Sequence, residues 1–124
     1  MDIRLHDAAE SLPMRDAAEV AARLRRWVPL GGEIAQAWSA ADRVVEDRGL
    51  YPACQFDEVG LPLVQMRALI AELRPVMSPS GMVGWLGTPC AALEGLRPAD
   101  CLQSSPGAVI EAARQHAAQA RAAA

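Results

Sequence analysis

Few residues in this chain are of types that do covalent chemistry. The three cysteines, Cys54, Cys90 and Cys101, are an odd number and form no C-x-x-C pair. The two histidines, His6 and His116, lie near opposite ends of the chain. A disulfide framework needs paired cysteines and a zinc site needs closely spaced ligands. The spacing therefore predicts neither, and we expect no metal and no cofactor.

Cys90 is the strongest candidate for a nucleophile. It follows Thr88-Pro89, where the start of a helix would favour a thiolate. Nucleophilic catalysis also needs a base within hydrogen-bond reach, and no histidine lies nearby in the sequence. We therefore predict no catalytic residue, no enzymatic activity and cysteines that serve as buried structural thiols.

The side chains best suited to bind another molecule are concentrated near the C-terminus. They project from an alanine-rich segment and are long and polar: Arg114, Gln115, His116, Gln119 and Arg121. A solvated helix face is the alternative interpretation of this set. Trp85 and Leu86 are a second candidate, because tryptophan is enriched at interface centres. The alternative interpretation of Trp85 and Leu86 is that both side chains lie in the core, since Gly84 and Gly87 flank them and would let neighbouring helices approach.

Two short blocks hold the only Tyr, the only Phe and one of the three Trp: YPACQFD at 51–57 and GWLGTPCAALEGLRPAD at 84–100. Each large aromatic side chain can bury about 150–250 Å². We therefore expect the rings of Tyr51, Phe56 and Trp85 to hold the neighbouring helices together. Gln55, a polar residue in an extended segment, is expected to anchor that segment by hydrogen bonds.

Together the two blocks resemble the C-terminal toxin-binding domain of the Xre/MbcA/ParS-type bacterial antitoxins. That family has an aromatic-Pro-Ala-x-Gln-Phe segment before a helical W-L-x-T-P-x-x-x-L-x-G-x-x-P-x-D core. The resemblance spans roughly residues 50 to 115, and Cys54 and Cys90 depart from the usual residues. Besides Trp85 and Leu86, the matching motif positions are Tyr51, Pro52, Gln55, Phe56, Thr88, Pro89, Leu93, Gly95, Pro98 and Asp100.

The resemblance implies an antitoxin that binds a RES-domain toxin, which degrades NAD, and shuts its active site. In that family the last helix or tail often reaches the toxin's cleft. By analogy the segment 104–124 is the functional end of this chain, and we expect truncation after Gln103 to leave a folded protein.

Proline placement predicts the helices of the second half. Five prolines each open an apolar or alanine-rich stretch, which suits the first turn of a helix. The predicted helices are 62–74, 79–87, 89–95, 98–103 and 106–121. The predicted N-capping residues are Ser78, Thr88 and Ser105.

The first half reads as two antiparallel helices, 13–28 and 33–48, with a turn at 29–32. The predicted fold is all-α, with at most two short strands. It divides into an N-terminal helical pair (1–49), which we expect to form a dimer, and a toxin-binding domain (50–124). With no leader-like start and no window of 18 apolar residues, the protein is expected to be soluble and cytoplasmic.

A helix-turn-helix regulator that binds its own operator is the main alternative function. The chain has 12 Arg, no Lys and 15 acidic residues, for a net charge of −3. Between residues 33 and 48 four acidic residues outnumber two arginines, and phosphates would repel such a helix. The cluster Arg23, Arg25 and Arg26 suits a helix C-terminus instead. A scaffold or accessory subunit without a toxin is a third possibility.

Overall fold

The structure, a computed structural model, describes residues 12–24 and 33–123. Within these ranges the chain is mostly helical and contains a small antiparallel sheet. No helix in the described part has the length and apolar character to cross a membrane. The elements are β1 (Met14–Asp16), α1 (Ala17–Ala22), α2 (Glu33–Ala40), β2 (Leu50–Pro52), α3 (Met66–Leu73), α4 (Pro79–Leu86), α5 (Pro98–Cys101) and α6 (Pro106–Ala123), with single 3₁₀ turns at Ala53–Gln55 and Ala91–Leu93.

The prediction that the first helix begins at Pro13 is wrong. Residues 14–16 form β1 instead, which pairs with β2 so that Arg15 lies opposite Tyr51. Asp16 then starts α1: its carboxylate accepts from Glu19 N at 2.8 Å, and the Glu19 carboxylate accepts from Asp16 N at 2.9 Å. This reciprocal capping satisfies backbone donors at the helix start. Residues 25–28 of the predicted helix and the turn at 29–32 lie outside the described residues.

The second predicted helix, 33–48, is also shorter than expected. It ends at Ala40, and Asp42 and Arg48 take left-handed backbone angles, with φ of 58° and 53°. Left-handed residues cannot continue a right-handed helix. The chain between them buries Val44 and Val45 in the two cores instead of completing two more helical turns.

The prediction that prolines begin helices, here called the proline rule, is correct for α4, α5 and α6, which start at Pro79, Pro98 and Pro106. Ser78 caps α4, because its hydroxyl accepts from Gly81 N at 3.1 Å. The rule fails at Pro62, since that residue forms an antiparallel bridge with Phe56 and the helix starts only at Met66. It fails at Pro89 as well, where a single 3₁₀ turn replaces the predicted helix 89–95.

Two hydrophobic cores lie side by side. The larger one is built mainly by α3, α4 and α6, and the smaller one joins α1 and α2 to the segment after Gly49. In the smaller core Trp38 and Phe56 have ring centroids 6.2 Å apart, and Tyr51 is only 2% exposed. Trp85 packs against the larger core, so the expectation that it joins Tyr51 and Phe56 is wrong, and Trp38 takes that position.

Contacts cross the boundary predicted at residues 49 and 50. The sheet pairs one strand from each side of it. Leu12 and Val45, which precede the boundary, lie in the larger core with residues of α3 and α6. The first segment is therefore packed into the second.

Candidate partner-binding surface

Helix α6 is held to the rest of the molecule by one apolar stripe. Val109, Ala112, Ala113 and Ala117 are at most 4% exposed, and α6 packs chiefly on α3. The recurrence of these residues every three or four positions gives a helix one buried face. The buried face of α6 is therefore part of the interior, which conflicts with the expectation that truncation after Gln103 leaves a folded protein. Removing α6 would expose the inner face of α3.

The far end of α6 has a different character. Ala117 is the last buried residue, and the helix continues through residues 118–123, of which only Ala120 is partly covered. At 1.5 Å per residue this end is about 9 Å long. Gln119 and Arg121 are exposed on it. We call residues 118–123 the free end of α6.

Arg114, predicted to bind a partner, ties α6 to its neighbour. Its guanidinium donates to Glu111 Oε1 at 2.6 Å and lies 3.4 Å from Glu72 Oε2 on α3. The Arg114 side chain is 57% exposed, so water screens both interactions. Arg114 thus contacts both its own helix and α3.

Trp85 and His116, far apart in sequence, meet at the surface. Their ring centroids are 6.4 Å apart with the planes inclined at 56°. Trp85 is partly buried against the larger core and His116 is exposed, as is Gln115 beside it. The fold thus joins the two predicted binding segments at one place. Leu86 is 1% exposed, so its side chain belongs to the core.

The residues around Leu93 form a loop that backbone hydrogen bonds close. Cys90 N donates to Leu96 O at 3.0 Å, and Gly95 N donates to Cys90 O at 2.9 Å. Gly95 has a φ of 84°, an angle that only glycine adopts at no cost. The loop turns Leu93 into the core, where it is 6% exposed. The spacing from Cys90 to Gly95 therefore serves packing.

Thr88 and Pro89 belong to the same architecture. The Thr88 hydroxyl does not cap a following helix as predicted. It donates to Gly84 O at 2.7 Å and so satisfies a carbonyl in the last turn of α4. Pro89 is exposed and leads into the closed loop.

Arg97 and Asp100 bracket the buried Pro98. Arg97 donates from Nε and Nη2 to the two Asp100 oxygens at 2.8 and 3.0 Å. These hydrogen bonds hold the pKa of Asp100 below its usual value, and the pKa of Arg97 is raised in return. The pair closes the first turn of α5, where an acidic residue is also favoured by the helix dipole.

The segment at 51–56 is fixed from both sides. Tyr51 is buried, and burial followed by the nearby Glu46 carboxylate raises the pKa of its hydroxyl. Ala53 N donates to Pro13 O at 2.8 Å. Gln55 is completely buried and exchanges two hydrogen bonds with the backbone of Val45. This is the anchoring role that its sequence context predicts.

The three cysteines are all free thiols and are buried to different degrees. Burial raises the pKa of the Cys54 thiol to about 12, so it stays protonated at neutral pH. Cys101 is buried and Cys90 is partly buried. Among residues 12–24 and 33–123 there is no group of three or more His, Cys, Asp or Glu that could hold a metal ion.

Sequence reasoning missed a second surface feature, the loop after Phe56. Asp57 Oδ1 accepts from Val59 N at 3.0 Å and from Leu61 N at 2.9 Å. This holds Val59 and Leu61 partly exposed, at 45% and 41%. The only signal in the sequence is an Asp followed three residues later by Gly60, which is typical of a turn.

Comparisons with protein-family models, with curated proteins and with solved structures give no match to this chain. A functional assignment therefore depends on the geometry above and on the resemblance of the two motif blocks.

Proposed function

We propose that this chain is an antitoxin that binds a cognate RES-domain toxin and occludes its NAD-degrading active site. The observation that carries the proposal is the free end of α6, a stretch of helix beyond the last core contact with exposed polar side chains. A helix end without core contacts contributes little to its own fold. Such an end is well suited to enter a concave site on another protein.

The composition of the free end supports this role. It consists of alanines together with Gln119 and Arg121, so it is narrower than the 10–12 Å or so of an average helix with its side chains. The planar guanidinium of Arg121 can pair with carboxylates in a cleft. Inhibition would be steric, with no chemical step.

The Trp85 and His116 pair supplies an anchor for the toxin surface around the cleft. Trp85 is partly exposed beside α6, and tryptophans in such positions often contribute much of a binding energy. Contact at this pair would fix the position of α6, while the free end reaches into the site.

Charge favours this function over operator binding. Helix α2, the counterpart of a recognition helix, carries Glu33 and no Arg or Lys. A helix in the major groove needs cations to neutralise phosphates. A negatively charged helix is the weaker candidate for that role.

The proposal is tested first by reading the frames adjacent to this one for a RES-domain toxin, and then with that toxin. Purified toxin is assayed for NAD consumption with increasing amounts of the full chain. We expect stoichiometric loss of activity and a complex that survives size-exclusion chromatography. An unchanged rate of NAD consumption at saturating chain, or the absence of an adjacent toxin frame, would count against the proposal.

A further inference from the structure

A groove unrelated to α6 runs along the outer side of α3. Two adjacent clefts of about 260 and 330 Å³ share Arg67. Residues 41–43 form one wall and α3 with its flanking residues forms the other. We call this the arginine groove, defined by Arg43, Arg67 and Arg74.

The groove is positively charged in a chain that is negative overall. Of the described residues that line it, three are arginines and one, Asp42, carries a carboxylate, whereas the whole chain carries a net charge of −3. Asp42 pairs with Arg74, and the two side chains are 46% and 57% exposed. Among residues 12–24 and 33–123, two positive charges in the groove therefore remain uncompensated.

Arg67 and Arg43 carry those charges. Within the described ranges neither makes an ion pair. Arg43 lies over the ring of Trp38, 5.9 Å from its centroid, which orients it without neutralising it. The one acidic residue of α3, Glu72, pairs with Arg114 instead.

The floor and rim of the groove are apolar. Val64 is 89% exposed, the most exposed large apolar side chain among the described residues. Leu63, Ala71 and Pro75 continue the apolar lining on either side of Arg67. Exposed apolar surface bordered by charge is typical of protein interaction sites.

We propose that the arginine groove binds an acidic, partly apolar peptide segment of a partner protein. Carboxylates would pair with the two uncompensated guanidiniums, which have the geometry for bidentate hydrogen bonds. An apolar side chain between them would cover Val64. A nucleic acid is the poorer occupant, because Asp42 repels phosphate and none of the described residues that line the groove is aromatic and able to stack on a base.

The test uses a short fluorescein-labelled peptide of alternating glutamate and leucine, followed by fluorescence anisotropy on the intact chain. The variant is Arg67→Glu, a charge reversal at an exposed position of α3. The matched control is Arg48→Glu, since that side chain is 85% exposed and lines neither cleft. Circular dichroism verifies that both variants fold.

We expect Arg67→Glu to weaken peptide binding by about tenfold or more and Arg48→Glu by less than about twofold. Equal binding of a peptide with glutamine in place of glutamate would overturn the proposal. So would the absence of binding, equal effects of the two variants, or tighter binding of an oligo-dT strand. The assay contains no toxin, so its outcome is independent of the proposed antitoxin function.

Discussion

The side-chain amide of Gln55 pairs with the backbone of Val45 as a neighbouring strand would. Gln55 Oε1 accepts from Val45 N at 2.7 Å, and Gln55 Nε2 donates to Val45 O at 2.9 Å. Gln55 is fully buried and Val45 is 5% exposed. The pair thus fixes the chain after α2 to the segment after β2, although ten residues separate the two in sequence.

Replacing Gln55 is expected to be costly. Gln55→Ala leaves a buried N–H and a buried C=O of Val45 without partners, and each such group costs about 1–3 kcal/mol. We expect a loss of about 2–5 kcal/mol in the free energy of unfolding, measured by urea denaturation. Gln65→Ala is the control, since the Gln65 side chain donates one hydrogen bond, to Leu102 O, and is only partly buried. Equal losses in the two variants would contradict this account.

Replacing each of two glycines by alanine should change the stability of the fold in opposite directions. At both Gly95 and Gly84 an added Cβ meets nothing within 4 Å, so only the backbone conformation matters. Gly95 has a φ of 84°, and alanine there should cost about 1–2 kcal/mol. Gly84 lies inside α4, where alanine should stabilise by about 0.5–1 kcal/mol. Thermal or urea unfolding shows whether each variant is more or less stable than the wild type. A stabilising Gly95→Ala would contradict the left-handed backbone conformation of that residue.

The ion pair of Asp100 predicts a pH dependence. Because Arg97 lowers the pKa of Asp100 in the folded state, the pair's stabilisation is present above the unfolded pKa and is lost as pH falls through the folded one. Asp100→Asn should cost less than about 1 kcal/mol near neutral pH, since the pair is largely exposed. Its difference from the wild type should vanish once the pH has fallen below the folded-state pKa of Asp100, as urea midpoints can measure. A difference that persists in acid would assign the effect to packing.

The Cys54 thiol should resist alkylation in the folded protein. A pKa of about 12, against an ordinary value of 9.0, lowers the thiolate fraction at mildly alkaline pH by about a thousandfold. Peptide mapping after iodoacetamide treatment should find Cys54 unmodified in buffer and modified in urea. Rapid modification in buffer would show that the site opens readily.

Local chemistry made part of this fold predictable from sequence. Pro79, Pro98 and Pro106 start helices because a fixed φ and a missing N–H suit the first helical turn. The buried stripe of α6 is what helical periodicity produces, since Val109, Ala113 and Ala117 recur every four residues. The anchoring role of Gln55 follows from a polar residue in an extended segment.

The predictions that were wrong concern contacts between residues that lie far apart in the sequence. β1 forms at 14–16 because its partner lies some 35 residues away at 50–52, and no local pattern reports that pairing. Trp38, and not Trp85, packs on Phe56 for the same reason. The arginine groove brings together Arg43, Arg67 and Arg74, which no sequence motif connects.

The most direct measurement for the proposed function is toxin inhibition by a chain truncated after Ala117. This cut keeps every buried residue of α6 and removes only its free end. Gln119→Ala combined with Arg121→Ala serves as a full-length counterpart. We predict that both proteins keep the urea midpoint of the intact chain, bind the toxin more weakly and fail to stop NAD consumption. Full inhibition by the truncated chain would contradict the occlusion of the active site by α6.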